Sequence, residues 1–243
     1  IAVGGREMVL SKNMQKLVAG SSTIRKLFEE GIELAKEVGA ENVYDFSLGN
    51  PAAPVPEEVK KSIYDILENR NANFVHCYMP NAGYPEVREK VAANLNKKYD
   101  SSFTKEDIIM TVGAAGGINC VLRCLLEQED EVLCFAPFFG EYNSYVMNFG
   151  GNLKVVPADY ETFQLNVEEA DKYITERTKA VIINNPNNPS GVVYNKETLI
   201  RLQKMLEKAE ERIGHPIYVL SDEPYRELVY DGCELPFRSE ERR

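Results

Sequence analysis

The 243-residue sequence predicts an α/β protein built on a mostly parallel sheet sandwiched by helices. Three features carry that expectation. Short apolar strands alternate with helical segments beyond Asp107, several of those strands are apolar on consecutive residues, and no linker or internal repeat interrupts the run. A strand that is apolar on consecutive residues needs cover on both faces, which is the habit of parallel sheets.

The front of the chain reads as helical. From Thr23 to Val38 the residues Ile24, Leu27, Phe28, Ile32, Ala35 and Val38 recur at helical spacing, and Gly39 follows as a C-terminal stop. A second amphipathic helix is expected after Pro56, with Val59, Ile63, Ile66 and Leu67 on one face. A third follows Pro85, with Val87, Val91 and Leu95. Between them, Asn71 to Tyr84 is irregular and rich in Asn, Gly and aromatics. Strands are expected at Ile108 to Val112, Val132 to Ala136, Leu153 to Val156, Ala180 to Ile183 and Ile217 to Leu220. Helices are expected at Ile118 to Glu127, Glu141 to Phe149, Val167 to Ile174 and Lys196 to Arg212, the last with Leu199, Leu202, Met205, Leu206 and Ala209 facing inward.

Composition narrows the function. There are 38 acidic and 28 basic residues, net charge -10, and no basic block that could neutralise a run of phosphates. Nucleic acid is therefore not an expected partner. No apolar run is long enough to span a bilayer and no signal-peptide pattern opens the chain, so a soluble, cytoplasmic protein is expected. The five cysteines form no C-x-x-C pair and the two histidines stand far apart, which argues against a zinc site. Cys120 and Cys124, one helical turn apart, are expected as small buried residues on one helix face. Both ends look artificial: the first residue is Ile1, Met8 is a candidate natural start, and the charged tail 238–243 joins no recognisable element.

In open parallel sheets ligands collect beyond the carboxyl ends of the strands, so the residues just after each strand carry the functional signal. Thr111 to Gly117 is a small-residue turn opening a helix, where free amides and the helix dipole suit a phosphate. Its spacing matches neither a dinucleotide nor a nucleoside-triphosphate loop. Phe135 to Tyr142 places aromatics after a strand, where a ring could stack on a planar ligand. Asn184 to Gly191, with two Asn-Pro steps, makes a rigid turn whose amides could donate to a ligand oxygen. Val219 to Tyr225 ends a buried strand in a carboxylate followed three residues later by a phenol. Each turn has a plainer reading: close packing for the glycines, core for the aromatics, a simple turn for the asparagines, a helix cap for Ser221 or Asp222.

In this order and rough separation the four turns resemble those of class I/II aminotransferases of fold type I, pyridoxal-phosphate-dependent enzymes, over about Asp45 to Tyr230. The segments Asn185-Pro186-Asn187-Asn188-Pro189-Ser190-Gly191 and Ser221-Asp222-Glu223-Pro224-Tyr225 are the most specific parts. The resemblance implies that Gly113, Ala114 and Ala115 hold the phosphate of pyridoxal 5′-phosphate, that Phe139 stacks on its ring, and that Asn188 and Tyr225 bond the ring 3-oxygen. It further implies that Asp222 pairs with the pyridinium nitrogen, keeping the ring protonated as an electron sink. Tyr78, in His76 to Tyr84, would reach the phosphate of a neighbouring subunit, and Gly49, in Phe46 to Pro51, would lie near the substrate carboxylate.

By the same resemblance the chain divides into an N-terminal helical arm (1–45), an incomplete cofactor-binding large domain (46–237) and the tail (238–243), with the C-terminal small domain absent. The implied activity is amino transfer between an amino acid and a 2-oxo acid, in amino-acid metabolism, by a homodimer. The family's reactive lysine, which lies beyond Asp222, is missing, because no lysine follows Lys208. The chain is therefore expected to be a fragment, with no catalytic residue of its own and inactive when alone. Another fold-type I chemistry such as C–S lysis, or a non-catalytic cofactor-binding or interaction fragment, stays open.

Overall fold

The computed structural model describes residues 2–3, 6–7, 10–11, 14–15, 23–44, 46, 49 and 53–236. Met8, Asp45, the neighbours of Gly49 at Ser47, Leu48, Asn50 and Pro51, and the tail 238–243 lie outside them. The chain divides into two compact units, Ile1–Tyr78 and Met79–Arg243.

In the first unit the short strands β1 (Ala2–Val3) and β2 (Arg6–Glu7) pair antiparallel. The expected amphipathic segments form α1 (Thr23–Val38) and α2 (Glu57–Asn69), followed by the single turn α3 (Ala72–Val75). Pro56 caps α2 with Glu57 and Glu58 in its first turn, where their charge suits the helix dipole. The apolar faces are formed but not covered: Leu27, Ile32 and Val38 of α1, and Val59, Ile63, Ile66 and Leu67 of α2, are all exposed.

The second unit holds the sheet. Its helices are α4 (Pro85–Tyr99), α5 (Gly113–Leu125), α6 (Tyr142–Met147), α7 (Val167–Ala170) and α8 (Lys196–Ile213). Its strands are β3 (Glu131–Phe135), β4 (Asn152–Val156), β5 (Thr178–Asn184) and β6 (Tyr218–Asp222). They form one sheet in the order β4-β3-β5-β6, parallel at every pairing. The crossing segments are helical, as parallel neighbours require.

Strand period fixes which side chain enters which core. Leu133 and Phe135 of β3, with Val181 and Ile183 of β5, pack on one face against Leu199, Leu202, Leu206 and Ala209 of α8. Val132, Ala180 and Ile182 pack on the other face against Ile118 and Leu122 of α5 and Tyr142 and Val146 of α6. The consecutive apolar residues in the sequence are thus explained by two separate hydrophobic clusters. Helix α8 is closed at both ends by its own residues: the Asn195 side chain accepts from the Thr198 amide, and Gly214 takes the left-handed conformation at φ 82°.

Two expectations fail in this unit. Ile108 to Val112 is not a strand; Ile109, Met110 and Val112 are exposed, and no described strand lies alongside to complete a ladder. The Met110 amide ties it to the Ala82 carbonyl. Cys120 and Cys124 are exposed and free rather than buried. Ile118 and Leu122 take the inward face of α5, and residues two positions on project about 200° around the helix axis.

Gly83 is required where the chain turns past Met110. Its φ is +93°, and an added Cβ would lie 2.6 Å from Met110 Cγ. Gly83→Ala is expected to destabilise the protein by about 1–3 kcal/mol. Leu202→Ala, at a fully buried position of α8, is expected to cost about 2–5 kcal/mol. Urea unfolding followed by tyrosine fluorescence measures both.

Candidate functional site

The carboxyl ends of β3, β5 and β6 lie along one edge of the sheet because all the strands run the same way. Helix α5 reaches that edge too. It ends at Leu125, shortly before β3 begins at Glu131, and its 13 residues run about 20 Å back along the sheet, so Gly113 stands near the carboxyl edge. Three of the four motif turns are then joined by hydrogen bonds, and the fourth opens the helix packed beside them.

Asp222 is the last residue of β6, paired with Asn184 at the last position of β5. Its Oδ2 accepts a 2.6 Å hydrogen bond from the Tyr142 hydroxyl. Its Oδ1 is buried and has no partner among the described residues. Burial raises the Asp222 carboxyl above the ordinary range, the Tyr142 bond opposes that, and the charge of Glu223 adds to it. Burial likewise pushes the Tyr142 phenol up, reinforced by the bond to Asp222, so Tyr142 remains a donor.

The Asn184 to Gly191 turn is assembled mostly from its own amides. Asn184 donates through Nδ2 to the Asp222 carbonyl at 2.9 Å and accepts from the Asn188 amide at 2.6 Å. Asn185 accepts from the Tyr194 amide at 2.8 Å. Asn187 donates to the Pro137 carbonyl at 3.2 Å and the Tyr194 hydroxyl at 3.1 Å, and accepts from the amide and hydroxyl of Ser190. These amides are consumed as structure, contrary to the reading in which the turn's asparagines serve a ligand in common. Asn188 differs: its Nδ2 donates at 3.3 Å to the Tyr225 hydroxyl, and the pair is exposed.

Phe139 is half-exposed and meets Tyr142 edge to face at 5.7 Å between centroids. Gly113 begins α5 with φ +69°, an orientation that glycine adopts without strain. Gly113, Ala114 and Ala115 are exposed; no acidic residue stands in the first turn of α5, and among the described residues no side chain caps it. The Gly113 amide donates to the Thr111 carbonyl at 3.0 Å, while the amides that follow it in the first turn have no acceptor within the helix. Among the described residues no helix follows β6, so the capping role open to Ser221 or Asp222 falls away. Tyr78 and Gly49 belong to the first unit, where both are exposed.

Tyr142 and Asn184 were not singled out as site residues by the sequence. Tyr142 sits inside the aromatic motif, but its pairing with a residue 80 positions later leaves no local pattern. Asn184 carries a stronger hint, since a polar residue closing an apolar strand has to find partners.

A family model described as "Aminotransferase class I and II" matches residues 40–242. The chain belongs to that family. Among curated aminotransferases it is 36% identical over 229 residues to aromatic-amino-acid aminotransferase 2 of Thermococcus litoralis, covering 93% of this chain and 54% of that protein. It is 35% identical over 215 residues to aspartate aminotransferase of Pyrococcus abyssi, covering 88% and 51%. Among solved structures, an amino transferase from Eubacterium rectale superposes with TM-score 0.91 and 41% identity over 96% of this chain and 59% of that one. Aspartate aminotransferase from Thermus thermophilus with maleate gives 0.79 and 30%, over 95% and 57%. The chain spans about half the length of the curated relatives it matches. Aminotransferases of this family use pyridoxal phosphate. Among the described residues no helix is long and apolar enough to cross a membrane.

The raised Asp222 carboxyl has a direct consequence for stability. The folded state holds its proton more tightly than the unfolded chain does, so this group favours folding below the ordinary carboxylate range. That contribution is lost as pH rises through the elevated value. Asp222→Asn removes the buried charge and keeps an oxygen for Tyr142 to donate to. Without added cofactor, the variant is expected to be more stable than the parent at neutral pH, with the difference shrinking toward acid. Urea midpoints across that range test the sign.

Proposed function

We propose that this sheet edge is the pyridoxal-phosphate bed of an aminotransferase, and that the whole protein moves an amino group between an amino acid and a 2-oxo acid. The observation that carries the reading is the buried Asp222 Oδ1 with no partner. Leaving such an atom unsatisfied costs about 1–3 kcal/mol, which is hard to account for unless a donor arrives from outside the chain. A protonated pyridine nitrogen is a donor of the right kind, and it meets a carboxylate already oriented through Oδ2 by Tyr142.

The neighbouring groups suit the rest of the molecule. The amides of Gly113, Ala114 and Ala115 at the start of α5 would take its phosphate. Phe139 offers a ring face, and Asn188 with Tyr225 offers two polar atoms for the ring oxygen. When bound, the cofactor supplies an aromatic ring that withdraws electron density from the amino acid's α-carbon. The protein's own part is to keep that ring protonated through Asp222, to fix its tilt against Phe139, and to orient its oxygen through Asn188 and Tyr225. Gly49 would lie by the substrate carboxylate.

We assign residues 1–45 to an N-terminal arm and 46–237 to the cofactor-binding domain. We also infer a homodimer, in which the exposed Tyr78 reaches the phosphate of the neighbouring copy. A cytoplasmic location suits five free cysteines, four of them exposed.

Titration of the 243-residue chain with pyridoxal phosphate, read by absorbance and tyrosine fluorescence, tests the site. Saturable binding is expected, weakened in Asp222→Ala by about 1.5–3 kcal/mol, the worth of a charge-assisted hydrogen bond. An unchanged dissociation constant would put the ring nitrogen elsewhere. Sedimentation should show a concentration-dependent dimer; monomer at every concentration would remove the dimer for this chain.

A further inference from the structure

Asp222 ends β6 and Tyr225 lies in the segment that follows, which forms turns and no helix among the described residues. A line of polar contacts runs through it. Ser221 donates to Glu223 Oε1 at 2.6 Å, and Glu223 Oε2 takes Arg226 Nη1 at 2.7 Å. Arg226 Nε then donates to the Tyr99 hydroxyl at 2.9 Å, with its guanidinium 4.7 Å from the Tyr99 ring centroid. Its Nη1 and Nη2 also donate to the Pro236 carbonyl, and Nη2 to that of Leu235. The Arg226 and Glu223 side chains are only 12% and 20% exposed, so this ion pair is screened far less than one at the surface. It lies one residue from the Asp222 carboxylate and closes the backbone turn whose Arg226 amide bonds the Glu223 carbonyl.

We propose that Arg226 is a positioning residue for the cofactor site: it pins the Asp222–Tyr225 turn to the end of α4 and cancels the negative charge of Glu223 beside Asp222. The inference rests on reading Asp222 as the partner of the cofactor's ring nitrogen. The reasoning is electrostatic. The Asp222 carboxyl accepts from the Tyr142 phenol and has the Tyr145 phenol as a further neighbour, both on α6, and Glu223 stands beside it in its own segment, while Asn184 of β5 and Asn185 just after it bond its main-chain carbonyl. Glu223 is the anion among these neighbours, and Arg226 is the cation that holds it. Without Arg226, Glu223 would confront Asp222 uncompensated, and Asp222 would hold its proton to higher pH. A protonated Asp222 offers no counter-charge to a pyridinium.

The test reads the Asp222 carboxyl directly by carbon-detected NMR titration without cofactor, assigned by its loss in Asp222→Asn. In Arg226→Gln the Asp222 midpoint should move to higher pH. In Glu223→Gln it should move lower, since the charge of Glu223 beside Asp222 is removed. The double variant should return close to the parent, and Arg226→Lys should stay near it. A midpoint unmoved in Arg226→Gln, or moved equally in the double variant, overturns the proposal. Should Arg226→Gln fail to fold, Glu223→Gln decides alone, an unmoved midpoint overturning it. Pyridoxal phosphate titration forms a separate arm. Arg226→Gln should weaken binding about fivefold at neutral pH, and Glu223→Gln in the same chain should restore it. Absence of cofactor binding in the parent would sink the functional reading while the NMR result still judges the role of Arg226.

Discussion

Holding one carboxyl group in a half-buried place is the constraint around which this sheet edge is arranged. Asp222 gives up water on the side where Oδ1 finds no partner, and it retains a single hydroxyl donor on the other. That donor belongs to Tyr142, one of the largest fully buried side chains, packed with Ile118, Val132, Val146 and Ile182. The orientation of the carboxylate is therefore inherited from a hydrophobic cluster. A change at Ile118 or Val146 would reach the site through the Tyr142 ring without touching any polar group. Stability given up at Asp222 is offset by the two cores on the faces of the sheet, which is how a functional site tolerates an unfavourable local environment.

The asparagine turn solves a different difficulty. A strand as apolar as β5 delivers its end residues into a place with little water, where every amide needs a partner. Asn184, Asn185 and Asn187 bond one another's neighbours, the Tyr194 hydroxyl and the carbonyls of Pro137 and Asp222. Three consecutive strand ends are thereby tied together: β3 through Pro137, β5 through its own turn and β6 through Asp222. Asn188 projects beyond this framework, and its meeting with Tyr225 joins two turns 37 residues apart. A rigid frame with one outward amide positions a ligand more sharply than four mobile amides would.

The central strands were legible in the sequence because burial on both faces leaves an unambiguous apolar run, and α8 because its period and both caps are local. The turns that hold Phe139, Asn188 and Asp222 were legible because a parallel sheet sends the residues after its strands to one edge, and the family resemblance singled out these three within them. What was not legible depends on partners far along the chain. Ile108 to Val112 has the composition of a strand, but composition cannot supply the neighbouring strand that a ladder needs. Cys120 and Cys124 have the size of core residues, yet the inward direction of α5 is set by Ile118 and Leu122. Tyr142 looked like one aromatic among several, and only the fold brings it to Asp222. Helices α1 and α2 were correct as helices, while the burial implied by their apolar faces is a tertiary property that periodicity does not guarantee.

The placement of the carboxylate at the end of β6, rather than farther into the following turn, has its own logic. Strand β6 is exposed where it starts at Tyr218 and partly buried over its other four residues. Its last carbonyl receives both the Asn185 amide at 3.1 Å and the Asn184 side chain at 2.9 Å. The backbone of Asp222 is therefore the best anchored point of the strand, and its side chain is held by Tyr142 from another element. Tyr225, three residues later, has lost the ladder and depends on turn bonds and on the Glu223–Arg226–Tyr99 line for its position. Precision thus falls along the segment from a charge fixed by the sheet to a phenol fixed by side chains. On the proposed reading, that gradient suits a ligand whose charged ring nitrogen must be met at one point while its more peripheral oxygen can be shared between two adaptable donors.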